Sequence, residues 1–481
     1  MKILFAASEA APFIKSGGLG DVAGALPAEL CKIRGNEVCV FLPYYKSIKE
    51  NPSCNIEYVT DFYMPLSWRS VYAGVFRATV KNTGIGKNKR SDLIYYFIDN
   101  DYYFGRDGLY GYPDDGERYA FFCKAVLEAL QHIGFTPDVI HANDWQTGYI
   151  PLFLNEFYRV LDGYDKIKTV FTIHNIEYQG KADPDFISNV LGVSDSRSGD
   201  IMFDGLANAM KCAIMLSDKI TTVSKTYSHE IRYAYFAHGL HDILASQSYK
   251  LHGIVNGIDT KAHDPSKAMF PFKPSDLSGK LKIKKALLER LGLDSDLSAP
   301  LVIMISRLAE HKGFELLSYI GEEMINTTSI RLAVLGTGEH KYEDYVNHLA
   351  YSFKNRVSAN IMFDTGLADF MYAGADFLLM PSKSEPCGLS QLIAMRYGTV
   401  PIVRETGGLV DTVPPINTDT MEGRGITFKV YNAHDMLGAV KRAEALYYDR
   451  DKFKKAVSSV MRYDSSWKNA AQQYMDVYEA E

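Results

Sequence analysis

The chain has 481 residues, 47% of them hydrophobic and 23% charged, and 52 Lys and Arg stand against 58 Asp and Glu for a net charge of −6. That length exceeds one ordinary core and calls for two or three domains. The acidic balance excludes a general nucleic-acid or polyanion binder while leaving room for a local basic pocket.

Short apolar runs alternate with helical patterns through both halves. In the first half, strands are expected at residues 3–7, 38–42, 71–80, 93–98, 139–141, 169–174 and 220–223. The opening run ends at Ser8-Glu9, too short and too soon acidic for a secretory signal, and reads as a first strand. Strands separated by 10–20-residue helical patterns indicate βαβ units around a parallel sheet. After the first strand comes Lys15-Ser16-Gly17-Gly18-Leu19-Gly20-Asp21-Val22. Leu19, Val22, Ala23, Leu26 and Leu30 keep a helical period, which puts Gly17 and Gly18 at a helix N-terminus. Glycine lets a ligand approach the backbone, free N–H groups favour phosphate, and Lys15 adds a cation. Taken alone, the same residues are a glycine turn beside a solvated lysine, and the spacing is not G-x-G-x-x-G. Pro27 should kink this helix.

Asp144, in His141-Ala142-Asn143-Asp144-Trp145-Gln146, and His174, in Phe171-Thr172-Ile173-His174-Asn175, both end expected strands and share a rim. Asp144 can accept a hydrogen bond or stabilise positive charge at a sugar ring, and His174 can donate to a sugar hydroxyl. A histidine ending a strand is equally a packing residue.

A domain boundary is expected at Asn256-Gly257-Ile258-Asp259, where Asn-Gly signals a turn. Residues 260–300 read as an irregular, charged entry to a second domain with strands at 301–306, 332–335, 361–363, 377–380 and 400–403. Arg307 and Lys312 follow the first of these, well placed for a diphosphate, or for a surface pair with Glu310. Gly336-Thr337-Gly338 reads as a tight turn. Pro386 disfavours helix at Glu385, which holds that carboxylate on a loop at a strand's carboxyl end, where α/β folds bind ligands. The residues from Cys387 to Ser390 then lead into a helix. Asp99-Asn100-Asp101 and Asp294-Ser295-Asp296 imitate a metal-binding D-x-D, without a third ligand. In the tail, Trp467, Ala471, Tyr474 and Tyr478 at helical spacing predict a packed helix. The expected division is 1–255, 256–464 and a helix in 465–481 that packs back on the first domain. Six scattered cysteines without a C-x-x-C pair read as reduced thiols of a cytoplasmic protein, and no apolar run approaches the roughly 18 residues of a membrane span.

In this order, these segments, together with Val255-Asn256-Gly257-Ile258-Asp259 and Thr406-Gly407-Gly408-Leu409-Val410-Asp411-Thr412, resemble the bacterial glycogen synthase and plant starch synthase family. The resemblance runs nearly end to end. It implies an α/β fold of the GT-B type, two Rossmann-like domains facing each other across a deep cleft, and a retaining glucosyltransferase without cofactor or metal. The implied donor is ADP-glucose and the implied acceptor is glycogen or another α-1,4-glucan, with no nucleic-acid or membrane partner. By position, the resemblance gives Asp144, His174, Arg307, Lys312 and Glu385 catalytic roles. Lys15, Gly17, Gly18, Tyr110, Asn256, Phe363, Cys387, Gly388, Leu389 and Ser390 would bind ADP-glucose, with Phe363 against the base. Domain closure would exclude water from the donor. Two departures stand out. Ser16 replaces the usual Thr after the first Lys, and Ile393 stands where many retaining GT-B enzymes carry a second Glu. The competing readings are a UDP-glucose-dependent GT-B enzyme, a phosphorylase, whose pyridoxal-phosphate lysine has no matching context here, and a non-catalytic glucan-binding protein.

Overall fold

The structure is a computed structural model that describes residues 1–81 and 92–480. It divides into two units, Met1–Asn256 with Trp467–Glu481, and Gly257–Ser466.

The strands of the first unit are β1 (Lys2–Ala6), β2 (Glu37–Pro43), β3 (Glu57–Leu66), β4 (Arg69–Val80), β5 (Leu93–Asp99), β6 (Val139–Asn143) and β7 (Lys168–Ile173). A small sheet holds β8 (Lys181–Ala182), β9 (Met202–Phe203) and β10 (Leu206–Asn208), and β11 (Lys219–Thr222) and β12 (Leu251–Gly253) complete the set. The main sheet runs β12-β11-β7-β6-β1-β2-β5-β4-β3. Its inner strands pair in parallel, as in Ile3↔Val139 and Leu4↔Cys39, and are buried along nearly their whole length. Continuous apolar strands of this kind belong to sheets covered on both faces. From β1 the chain first builds outward to β2 and later returns to the other side with β6. The carboxyl ends of β1 and β6 therefore flank a topological switch point, where ligands of such sheets bind.

One sequence expectation changes here. The run at 71–80 is not a βαβ strand but half of an antiparallel hairpin, β3 against β4, closed by Ser67-Trp68 with Ser67 at φ 53°. Strand β3 escaped notice because its outer residues, Glu57, Asp61 and Tyr63 among them, are exposed and interrupt the apolar pattern. The helix Gly18–Leu30 runs through Pro27, which is buried within it.

The C-terminal helix Trp467–Glu479 buries Trp467, Ala470, Ala471, Tyr474, Met475, Val477 and Tyr478 in this unit. Tyr478 Oη lies 2.7 Å from His141 Nδ1, and His141 Nε2 lies 2.5 Å from Thr172 Oγ1. This buried polar chain pins the tail to β6 and β7.

The second unit holds β13 (Leu301–Ile305), β14 (Arg331–Leu335), β15 (Val357–Asn360), β16 (Phe377–Met380), β17 (Val400–Arg404) and β18 (Ile426–Phe428) in the order β15-β14-β13-β16-β17-β18. All are parallel, with the switch point between β13 and β16. This is the dinucleotide-fold order, three strands outward on one side and three on the other. The expected strand at 361–363 ends earlier, at Asn360: the polar stretch Ser358-Ala359-Asn360 pairs with β14, and the apolar Ile361-Met362-Phe363 lies beyond it. The charged entry segment contains the helix Ser278–Arg290, which exposes Lys282 and Lys285 but buries Lys280 and Lys284. Lys284 Nζ pairs with Asp376 at 2.7 Å, and Lys280 Nζ donates to Ala373 O, Tyr397 O and Thr399 Oγ1. Among the described residues no helix is long and apolar enough to cross a membrane.

Candidate active site

In the first unit, β1 leads into Ala7, Ser8 and Glu9, all buried. The Glu9 carboxylate accepts a hydrogen bond from the Ser16 backbone N–H. A Cβ on Gly20 would press on the Lys15 side chain at 2.9 Å and on its Cα at 3.2 Å, whereas Gly17 and Gly18 have room for one. Gly20 thus lets the Lys15 end of the loop pack against the helix. Gly17 caps the helix without a side-chain bond, so the N–H groups of Gly18 and its neighbours face an anion-favouring end. Lys15 itself pairs with Asp21 at 2.6 Å, both part-exposed. Tyr110 Oη bonds Ser8 Oγ at 2.8 Å, and burial, with Glu9 nearby, pushes its phenol well above the usual range. Asn256 is 6% exposed and its Oδ1 has no hydrogen-bond partner among the described residues.

Asp144 follows β6 with φ 56° and ψ 176°, a conformation that favours glycine and is held here by its side chain. Asp144 Oδ1 accepts from the backbone N–H of His174 at 2.7 Å and of Asn175 at 3.4 Å, tying the end of β6 to the end of β7. Burial outweighs those bonds and pushes the Asp144 carboxyl up to about 7. Burial likewise holds the His174 imidazole down to about 3. His174 Nε2 lies 2.9 Å from Asn143 Oδ1.

In the second unit, Arg307 leaves β13 exposed; its carbonyl accepts from Ser306 Oγ at 3.1 Å, and its guanidinium makes no hydrogen bond or ion pair to any described residue. Lys312 does not pair with Glu310, which meets Lys383 at 3.3 Å. It crosses instead to the loop after β16, where its Nζ sits 2.9 and 2.8 Å from the two carboxylate oxygens of Glu385. Ser382 Oγ donates to the same carboxylate at 2.9 Å. Glu385 is 6% exposed, so its charge is satisfied almost entirely by these two donors. Lys312, Ser382, Glu385, Gly388, Leu389 and Ser390 line a small recess at the switch point.

The glycines shape this loop too. Gly313 has φ 82°, and a Cβ there would fall 2.2 Å from Pro381 O. Gly388 has φ 75°, and Gln391 Nε2 donates to the carbonyls of Cys387 (3.0 Å) and Gly388 (2.7 Å). The Thr406–Thr412 segment buttresses it from behind, with Gly408 N–H donating to Glu385 O at 3.0 Å. Gly336-Thr337-Gly338 runs against the loop after β13, with Gly338 bridging Leu308 and a Gly336 Cβ placed 1.9 Å from Ser306 O. Cys387 is a buried free thiol, Ser390 opens the helix Ser390–Arg396, Ile393 packs against the core, and Phe363 is 86% exposed.

The two D-x-D look-alikes are spent on structure. Asp99 and Asp101 both bind Lys49 at 2.5 Å, and Asn100 caps the helix Asp101–Phe104. Asp294 pairs with Arg331 at 2.9 Å, and Asp296 accepts from Ser298. Sequence reasoning missed Glu9, Asn143, Ser382 and Gln391. The first three sit beside named residues at strand ends, but only their contacts reveal a role.

Two Rossmann-like units with charged groups gathered at their switch points, matched with the family models and solved structures below, make this a glycosyltransferase of the GT-B class. Residues 2–246 match the starch synthase catalytic domain and residues 289–459 match glycosyl transferases group 1. Glycogen synthases from Clostridium novyi and Clostridioides difficile are 45% and 43% identical to the chain over 99% of its length, covering 98% and 99% of theirs. The catalytic domain of starch synthase IV from Arabidopsis thaliana, bound to ADP and acarbose, superposes with a TM-score of 0.88 at 32% identity, covering 99% of this chain and 98% of that one. Sucrose-phosphate synthase from Thermosynechococcus elongatus, at 18% identity and a TM-score of 0.60, shares the fold. The chain belongs to the glycogen synthase and starch synthase family of glucosyltransferases.

Proposed function

We propose that the chain transfers glucose from ADP-glucose to the non-reducing 4-OH of an α-1,4-glucan with retention of configuration, extending glycogen in the cytoplasm. The observation that carries this reading is the Lys312–Glu385 pair beside the uncommitted Arg307, at the switch point of the second unit. A diphosphate entering there meets two cations, while Glu385 Oε1, which accepts only from Lys312, keeps one lone pair for a sugar hydroxyl. Arg307 and Lys312 stabilise the charge that develops as ADP leaves. The N–H groups of Gly388, Leu389 and Ser390 add backbone donors, and Phe363 offers a ring face to the base.

In the first unit, Lys15 and the Gly17–Gly18 helix end offer anion contacts, with Tyr110 and Asn256 as sugar or phosphate partners. Asp144 is unsuited to covalent attack: burial favours its protonated form near neutrality, and backbone N–H groups occupy Oδ1. This supports a mechanism in which the acceptor oxygen attacks from the face that ADP leaves and its proton passes to a diphosphate oxygen. The protein then contributes positioning and charge stabilisation.

The test is nucleotide release with glycogen and either ADP-glucose or UDP-glucose, with the new linkage read by NMR. ADP release with α-1,4 extension is expected. Preference for UDP-glucose would replace the donor assignment. Glucan binding without release of either nucleotide would leave only a binding protein.

A further inference from the structure

Asn143 is the last residue of β6 and is fully buried. Its amide nitrogen faces two carbonyl oxygens, Ala6 O at 3.0 Å and His141 O at 3.2 Å. Carbonyls only accept, so a reversed amide would set oxygen against oxygen twice. Oδ1 therefore faces His174 Nε2, at 2.9 Å. An amide oxygen is also only an acceptor, so Nε2 carries the hydrogen. The His174 backbone is fixed separately, its N–H bonded to Asp144 Oδ1 at 2.7 Å. Nδ1 makes no hydrogen bond to any described residue.

We infer that Asn143 is a positioning residue that locks His174 as the neutral Nε2–H tautomer, so that the ring presents Nδ1 as a hydrogen-bond acceptor to a hydroxyl of the transferred sugar. This rests on the proposed glucosyl transfer and reverses the direction expected from the sequence, in which His174 donates. Burial supports the neutral form, since the ring is held down to about 3. The titratable groups around it are His141 on β6, itself held down to about 3, and Asp144. Asp144 in turn senses Glu9 after β1 and Tyr227 of the helix Lys225–Glu230. A neutral acceptor is matched to a hydroxyl donor, whereas an imidazolium would place a cation beside developing positive charge on the sugar ring.

The first arm of the test is direct. The full chain is labelled with ¹⁵N-histidine, and His174 is assigned by its loss in His174→Gln. Long-range ¹H–¹⁵N correlations should show an Nε2–H ring unchanged between pH 8 and pH 5. An Nδ1–H pattern, or a titration near 6.5, overturns the inference. The second arm is kinetic. Asn143→Asp keeps an acceptor against Nε2 but adds a carboxyl which, once ionised, stabilises the imidazolium and blocks Nδ1. The pH profile of kcat/KM for the nucleotide sugar should then gain an ionisation that the unsubstituted enzyme lacks, with about a tenfold loss where the carboxyl is charged. A parallel profile overturns the inference. An unsubstituted enzyme inert toward both donors would sink the functional reading and leave the tautomer measurement to decide this one.

Discussion

Substituting Lys312 by Met tests the second unit most sharply, because the ammonium is structural as well as chemical. It supplies the charged donor to a carboxylate whose side chain is 7% exposed, while its own side chain is 20% exposed. Its removal leaves Glu385 with the Ser382 hydroxyl alone. Breaking a buried pair costs about 3–5 kcal/mol, and the partial exposure of Lys312 puts the expectation at the lower end, about 3 kcal/mol. For a unit of about 200 residues, that lowers its transition by roughly 6–12 °C. Glu385→Gln leaves a lysine that can turn to water and should cost only about 1 kcal/mol. The double variant should cost scarcely more than that, giving a coupling of about 3 kcal/mol. The three tryptophans, Trp68, Trp145 and Trp467, all lie in the first unit. Tryptophan fluorescence therefore reads the first unit, while calorimetry and far-UV circular dichroism should register the loss in the second. A Lys312→Met protein as stable as the parent, or additive single and double effects, would refute the pairing.

Arg307→Ala should leave stability within about 0.5 kcal/mol, since no described residue depends on it, yet lower kcat/KM for the nucleotide sugar about a hundredfold or more; near-parental kinetics would remove Arg307 from the site. Gly408→Ala would put a Cβ 2.3 Å from Cys387 O and displace the Glu385 loop. Activity should fall about a hundredfold with far-UV circular dichroism unchanged, as assayed by nucleotide release. Acid should destabilise the first unit in a defined way. His141 and His174 have folded values of about 3, so below about 6.5 the unfolded chain binds more protons and each costs about 1.4 kcal/mol per pH unit as pH falls. Asp144, at about 7 when folded, works in the opposite sense between about 7 and 4 and cancels one of them. Urea unfolding followed by tryptophan fluorescence at pH 6, 5 and 4 should show a net loss from these groups of about 1.4 kcal/mol per unit, roughly doubled in Asp144→Asn; equal slopes in the two proteins would contradict the assignment.

The amino-acid order alone supplied the alternation of apolar runs and helical patterns, the glycine positions at 17, 18 and 388, and the placement of Asp144, His174 and Arg307 just past expected strands. These are local properties: hydrophobic period, turn chemistry and chain neighbours are all readable within about fifteen residues. Strand β3 and the limits of β15 escaped because polar residues can fill a strand whose partner supplies the pairing, and only the register reveals that. Which side chains meet was decided by the tertiary structure. Lys312 turned from the adjacent Glu310 to Glu385, 73 positions away, because β13 and β16 are neighbours in the sheet. Asn143 found the ring of His174 for the same reason, across β6 and β7. Charge state and tautomer follow from burial and from the direction of one amide, quantities set by packing between segments remote in the chain.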